Sequence, residues 1–210
     1  MAQPVRIYFL GGLGEIGRNC MVLEQDDKLM LIDCGLMFPD ADMHGIDLVL
    51  PDFTFLRENA DRIVGCVATH GHEDHIGAVP YLLRSKQDIP IVGSQLTLAF
   101  VESKLKEHRI TAYTHAVKEG MTERFGDFSV EFIAVNHSIP DALAVAVTTD
   151  AGTILITGDF KMDQLPLDGR ITDLRGMARL ADEGIDLALV DSTNAEVPGF
   201  VTAEADIAPV

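Results

Sequence analysis

The sequence predicts an α/β chain of the α+β type, in which two mixed β-sheets pack together with helices on the outside. Its strand-like stretches are apolar at nearly every position, the pattern of strands buried on both faces. Hairpins alternate with helical stretches, as a layered sheet system requires. Most telling, Asp33, His70, His137, Asp159 and Asp191 each follow directly on the apolar end of a predicted strand, so residues far apart in the chain converge on one rim. With 210 residues, 47% of them hydrophobic, the chain forms about one large domain with a substantial core.

The first predicted strand, residues 5–10, runs into Gly12-Leu13-Gly14-Glu15-Ile16-Gly17. This matches GxGxxG, and Asp33 follows about twenty residues on, as in a dinucleotide-binding fold. That fold needs a helix after the glycines. Residues 20–23 and 29–32 instead read as the arms of a hairpin turning at Asp26-Asp27, which argues against a dinucleotide site. The irregular stretch 36–52 holds Asp40, Asp42, His44 and Asp47 and either lines a cleft or is a solvated acidic loop. Residues 53–59 form a short helix, 63–68 a strand, and 77–85 a helix with Pro80 near its first turn, where its missing N–H does no harm. Ile91-Val92 is a short strand, and Ser94 caps a helix over 95–108. Then come a strand at 128–135, a hairpin of 142–149 with 153–157, a helix over 172–183 stopped by Gly184, and a strand at 187–190. Residues 202–210 begin like a capped helix.

The chemistry centres on Thr69-His70-Gly71-His72-Glu73-Asp74-His75-Ile76-Gly77. On a helix His70 and His72 would point to opposite sides, whereas a strand-to-helix loop can turn both toward one ion. His72 and His75 are three apart, so this is not the HExxH of zinc proteases, which needs four. Neutral imidazoles and carboxylates suit zinc, with manganese or magnesium as alternatives, and the lack of a nearby cysteine argues for an open catalytic site. His70, His72 and His137 make a three-nitrogen site. Asp74 and His75 begin a second, Asp159 is placed to bridge, and Asp33 to orient a ligand histidine. Asp74 is taken as catalytic as well as ligating. His75, read as lying on a solvent-facing loop, is expected to add little to the fold. Two divalent ions about 3.5–4 Å apart activate a hydroxide for hydrolysis. His108 and His115 read as structural.

Lys and Arg number 16 against 33 Asp and Glu, a net charge of −17. Such a balance disfavours nucleic acid, whose phosphates need cationic partners. Bound divalent ions would offset part of it locally. Cys20, Cys34 and Cys66 sit in apolar runs and read as buried free thiols. No run is long enough for a membrane span and the start lacks a signal-peptide pattern, so a cytoplasmic protein is expected.

HxHxDH at 70–75, followed by His137 and Asp159, resembles the metallo-β-lactamase superfamily. Within it, GGLGEIGRN at 11–19, LIDCG at 31–35, GDFK at 158–161 and DSTNAE at 191–196 resemble the β-CASP nucleases of the bacterial ribonuclease J family. The resemblance implies an incomplete αββα sandwich over 1–195 and the start of a β-CASP insertion over 196–210. It implies a two-metal ribonuclease that acts as a 5′→3′ exonuclease and endonuclease in RNA processing and decay. Asp191 matches an acid near the metals, and Ser192 and Thr193 are placed to hold phosphate. In that family the lactamase-like domain resumes after the insertion and adds a further histidine. None follows His137, so this piece is expected to be inactive alone and completed by a C-terminal half or by self-association, with the full enzyme a homo-oligomer. Basic RNA-binding surface would then lie outside the chain. A small-molecule thioester or lactone hydrolase shares the histidines but has no use for DSTNAE or the glycine run; a non-catalytic scaffold is the third alternative.

Overall fold

Alternate residues of each strand face different cores, and this alternation builds the layers. The structure is a computed structural model and describes residues 3–199 and 203–206. In the first sheet β1 (Arg6–Gly11), β2 (Cys20–Gln25) and β3 (Lys28–Ile32) pair antiparallel. The sheet continues in parallel through β4 (Ile63–Val67), β5 (Ile91–Gly93) and β6 (Thr114–Ala116). The second sheet is built on β7 (Thr122–Phe125), β8 (Phe128–Ala134), β9 (Leu143–Thr149) and β10 (Gly152–Ile156), all antiparallel. β11 (Leu187–Leu189) joins it in parallel to β10. Both sheets are therefore mixed, as the sequence predicts.

Leu29 and Leu31 face outward, onto α1 (Thr54–Glu58), α2 (Glu73–Ile76), α3 (Val79–Ser85) and α4 (Gln95–Glu107), through Leu56, Ile76, Leu82 and Val101. Met30 and Ile32 face inward and meet Phe128, Phe132, Val145 and Ile154 of the second sheet. On that sheet's far side Ala144 and Ala146 are small enough to let α5 (Leu174–Glu183) bring Leu180 close. The layers are helix, sheet, sheet, helix: the expected αββα sandwich. Burial on both faces holds for β2, β3, β4 and β9. β1 and β11 at the sheet edges are half-exposed.

Hairpin β2–β3 closes Gln25 against Lys28 with Asp26 at φ 51°, a conformation Asp tolerates. No helix follows the glycine run, which rules out the dinucleotide topology. Ser94 caps α4 by accepting from the Thr97 N–H at 3.2 Å.

Two local features differ from expectation. β7, sequence TERF, carries a single apolar residue and so gives no hydrophobic signal. It forms because Gly126, at φ 60°, and Asp127 turn it back onto β8. Second, Asp74 and His75 lie in the one-turn helix α2 rather than in a loop. Too short to be stable alone, α2 is clamped by main-chain bonds from two other segments. Cys34 N–H donates to the His75 carbonyl (2.8 Å), Leu36 N–H to Glu73 (3.1 Å) and Asn19 N–H to Asp74 (2.9 Å).

Of the stretch 196–210, Glu204–Asp206 form a single 3-10 turn; most of the helix expected over 202–210 lies outside the described residues. Among the described residues no helix is long and apolar enough to cross a membrane.

A Cβ on Gly35 would stand 1.5 Å from the Asp74 carbonyl oxygen, whereas one on Gly65 would meet Phe125 at an ordinary 3.6 Å. Gly35→Ala should therefore lower the unfolding free energy by at least about 1–3 kcal/mol. Gly65→Ala should leave it unchanged or raise it by about 0.4–1 kcal/mol. Urea denaturation of the two variants checks the contrast.

Candidate metal centre

Five segments, each leaving a strand or the helix that follows it, deliver the centre. Asp33 ends β3, with φ 61°. Its Oδ1 accepts from the Thr69 N–H at 2.7 Å and its Oδ2 from the Thr69 hydroxyl at 2.9 Å. Because that hydroxyl donates to Asp33, its lone pair faces His70 Nδ1 at 3.0 Å. His70 thus carries its proton on Nδ1 and presents a lone pair at Nε2. Asp33 Oδ2 also lies 2.8 Å from His75 Nδ1, so this ring too is oriented from behind, with Nε2 facing forward. Thr69 was not singled out in the sequence, although its place between strand end and first histidine is the signal.

In front of these supports the ligand atoms converge. His70 Nε2 is 3.1 Å from His72 Nδ1, which is 3.2 Å from His137 Nε2. His75 Nε2 is 3.3 Å from Asp159 Oδ1 and 3.6 Å from Asp74 Oδ2, and Asp159 Oδ2 is 3.6 Å from His137 Nε2. Two overlapping groups bring donor atoms close enough for a cation: His70, His72 and His137; and His70, His75 and Asp159, with His70 common to both. Asp159, between His75 and His137, touches both. Asp74 reaches the second group through His75.

The electrostatics divide the rings. Burial, reinforced by neighbouring His75, pushes the His70 imidazole down to about 2. Burial likewise lowers His137. Both are neutral near pH 7, the form a cation needs. Burial also works against a charged His75, but Asp33 and Asp159 on either side outweigh it and bring this ring up to about 10. Burial would raise the Asp159 carboxyl, yet the His75 bond and charge bring it down to about 2. Neutral imidazoles and ionised carboxylates are the donor chemistry of zinc or manganese.

His75 is almost fully buried, not on the solvent-facing loop that the sequence predicts, because α2 turns it under the main chain of residues 33–36. Two asparagines also escaped the sequence reading. The side chain of Asn19, which follows the glycine run, reaches Asp74 and His75. Asn136, beside His137, donates from its N–H to Thr172 Oγ1 (3.0 Å) and accepts from the Lys161 N–H (2.8 Å), tying His137 to the segment after Asp159. Neither sits in a recognisable ligand pattern.

Asp191 stands apart. Its Oδ1 accepts from the Thr193 N–H at 2.7 Å and its N–H donates to Thr157 Oγ1 at 3.1 Å, two residues before Asp159. Neither donor group includes it, and Ser192 and Thr193 are exposed. His108 stacks edge-on against Tyr81 and His115 faces Glu123, both away from the donor groups.

Residues 13–189 match the model of the metallo-β-lactamase superfamily, and the chain belongs to that superfamily. Among curated proteins it is similar to ribonuclease J of Mycobacterium tuberculosis, 56% identical over 205 residues, 98% of this chain and 37% of that protein. It thus spans little more than a third of that relative's length. Solved structures share the fold: a protein of unknown function from Enterococcus faecalis (TM-score 0.67, 15% identity, 97% of this chain and 53% of that one) and the short form of human tRNase Z (TM-score 0.58, 20% identity, 90% and 80%).

Two outcomes follow. A cation entering the second group must displace the proton that Asp33 and Asp159 hold on His75. Uptake near pH 7 should therefore release about one proton, and affinity should rise with pH through neutrality; calorimetry in buffers of different ionisation enthalpy measures both. Removing His75 strips Asp33 of a buried partner, so His75→Ala should destabilise the metal-free protein by about 1–3 kcal/mol, read by chemical denaturation.

Proposed function

We propose that this chain carries the catalytic metal centre of a ribonuclease that hydrolyses RNA phosphodiesters. The similarity to ribonuclease J along 98% of the chain is the observation that carries the reading. The convergence of His70, His72 and His137 beside His75, with Asp159 between His75 and His137, supports it. In this reading His70, His72 and His137 hold one divalent cation, and Asp74 and His75 hold a second, with Asp159 between the two. Bound there, the pair supplies Lewis acidity toward phosphoryl oxygens and a water made acidic enough to attack near neutral pH.

The chain's own residues have distinct tasks. Asp33 and Thr69 keep the His70 and His75 rings in the tautomer that presents Nε2 forward. Asp159, ionised and set between His75 and His137, holds the two groups in register. Asp74, partly open to solvent, is the carboxylate on the substrate side and the proposed proton acceptor. Asp191 orders the turn that carries Ser192 and Thr193, whose exposed hydroxyls and N–H groups are proposed to meet a backbone phosphate. The net charge of −17 makes this chain a poor electrostatic host for RNA, so the basic surface and further ligands are assigned to sequence beyond the matched region. Both 5′→3′ exonucleolytic and endonucleolytic attack belong to the proposal, as does oligomerisation of the complete enzyme. The acidic charge favours one rival, a hydrolase of small thioesters or lactones.

A chimera separates them. This chain replaces the matching 205 residues of the Mycobacterium tuberculosis relative, and the purified, metal-loaded product is assayed on a labelled 5′-monophosphate RNA and on a thioester. RNA cleavage is expected, lost by at least about 10²–10³-fold in His75→Ala. A folded chimera that hydrolyses the thioester and spares RNA overturns the ribonuclease reading, and one that acts on neither supports a scaffold.

A further inference from the structure

The glycine run 11–17 plays no part in the chemistry above, and what it does is visible in what it admits. Gly12 and Gly17 take φ 84° and 103°, left-handed backbone that glycine adopts without strain. A Cβ on Gly11 would come within 2.3 Å of the Arg18 carbonyl oxygen, one on Gly12 within 2.4 Å of Asn19 Oδ1, and one on Gly17 within 2.9 Å of Met37. The loop is folded back onto its own exit. Glu15 fastens it, accepting from the Gly12 N–H at 2.9 Å and from Arg18 Nε at 2.6 Å.

Asn19 is what the loop delivers. Its N–H donates to the Asp74 carbonyl at 2.9 Å and its own carbonyl accepts from the Gly35 N–H at 2.8 Å. Its side-chain Nδ2 lies 3.1 Å from the Asp74 carbonyl oxygen, 3.4 Å from Asp74 Oδ2 and 3.1 Å from His75 Nε2. Gly35 permits the approach, since any side chain there would collide with Asp74.

We propose that Asn19 is a positioning residue for the second donor group, and that the glycine run exists to bring it there. The proposal rests on the two-cation reading. Asp74 sits on a helix of one turn, which cannot fix its side chain, and that side chain is 32% exposed. A carboxylate free to rotate loses that freedom on binding a cation, which weakens binding. The Asn19 amide has two N–H donors, enough to hold the Asp74 carbonyl and carboxylate together, so the ligand is ordered before the cation arrives. The first group, His70, His72 and His137, makes no contact with Asn19 and should be indifferent to it.

The test is calorimetric titration with Zn²⁺ of the metal-free chimera described above, which supplies the further ligands, for wild type, Asn19→Ala and Gly12→Ala, with thermal denaturation of each metal-free protein. Wild type should take up two equivalents. Asn19→Ala should loosen the weaker one by about 10–100-fold, the usual effect of removing a group that orients a ligand, and leave the tighter one unchanged. Gly12→Ala keeps the amide but pushes it aside, and should do the same. Wild-type affinities in both variants overturn the proposal. So does loss of both equivalents together with a lowered melting temperature, which marks a purely structural role. Uptake of one equivalent by wild type overturns the two-cation reading itself, and this proposal with it.

Discussion

The centre depends on one buried carboxylate. Asp33 is 5% exposed, and a carboxylate so placed is tolerable only when its lone pairs are filled. Thr69 fills two and His75 a third. Asp33 N–H meanwhile donates to the Val67 carbonyl at 2.8 Å, so one residue fastens the end of β3 to the end of β4 and to α2. Its left-handed backbone, strained for most side chains and mild for Asp, turns the carboxylate back under the histidines. The forward-facing nitrogens of His70 and His75 are both consequences of where this group stands.

The second sheet reaches the same place through Thr69. Its carbonyl accepts from the Leu143 N–H at 2.9 Å, and Gly158 packs so near it that a Cβ would fall 3.1 Å from the Thr69 side chain. Leu143 begins β9 and Gly158 follows β10, so the two sheets are pinned to each other at their rim by one threonine. That pinning lets His137 and Asp159, from the second sheet, complete groups begun by His70 and His75 on the first. The apolar core between the sheets sets their spacing, but it is non-directional and could not by itself bring nitrogens to within hydrogen-bond distance.

Much of this was legible in the residues. Strand ends terminated by His or Asp identified the rim, because a polar ligand after an apolar run has few other reasons to be there. The Asp26-Asp27 turn separated a hairpin from a dinucleotide fold despite a matching glycine pattern. What escaped was whatever lacks a hydrophobic or ligand signature. β7 is held by pairing rather than by apolar contacts, α2 by main-chain bonds from Asn19, Cys34 and Leu36, and Asn19 meets Asp74 from 55 residues away in sequence. The burial of His75 is tertiary as well: nothing in THGHEDHIG says that residues 33–36 will close over it.

Two rings whose centroids are 4.0 Å apart, His70 and His75, are driven in opposite directions, one down to about 2 and the other up to about 10. Burial acts on both, so the difference comes from the partners. For His70, burial and the neighbouring His75 outweigh the Asp159 charge that favours a proton there. His75 lies between two carboxylates. The pair can hold one proton but not two, since a charged His75 further disfavours charge on its neighbour. The metal-free centre is therefore asymmetric: the group of His70, His72 and His137 stands ready for a cation, while the group containing His75 is guarded by a proton. That asymmetry is set by where Asp33 and Asp159 stand.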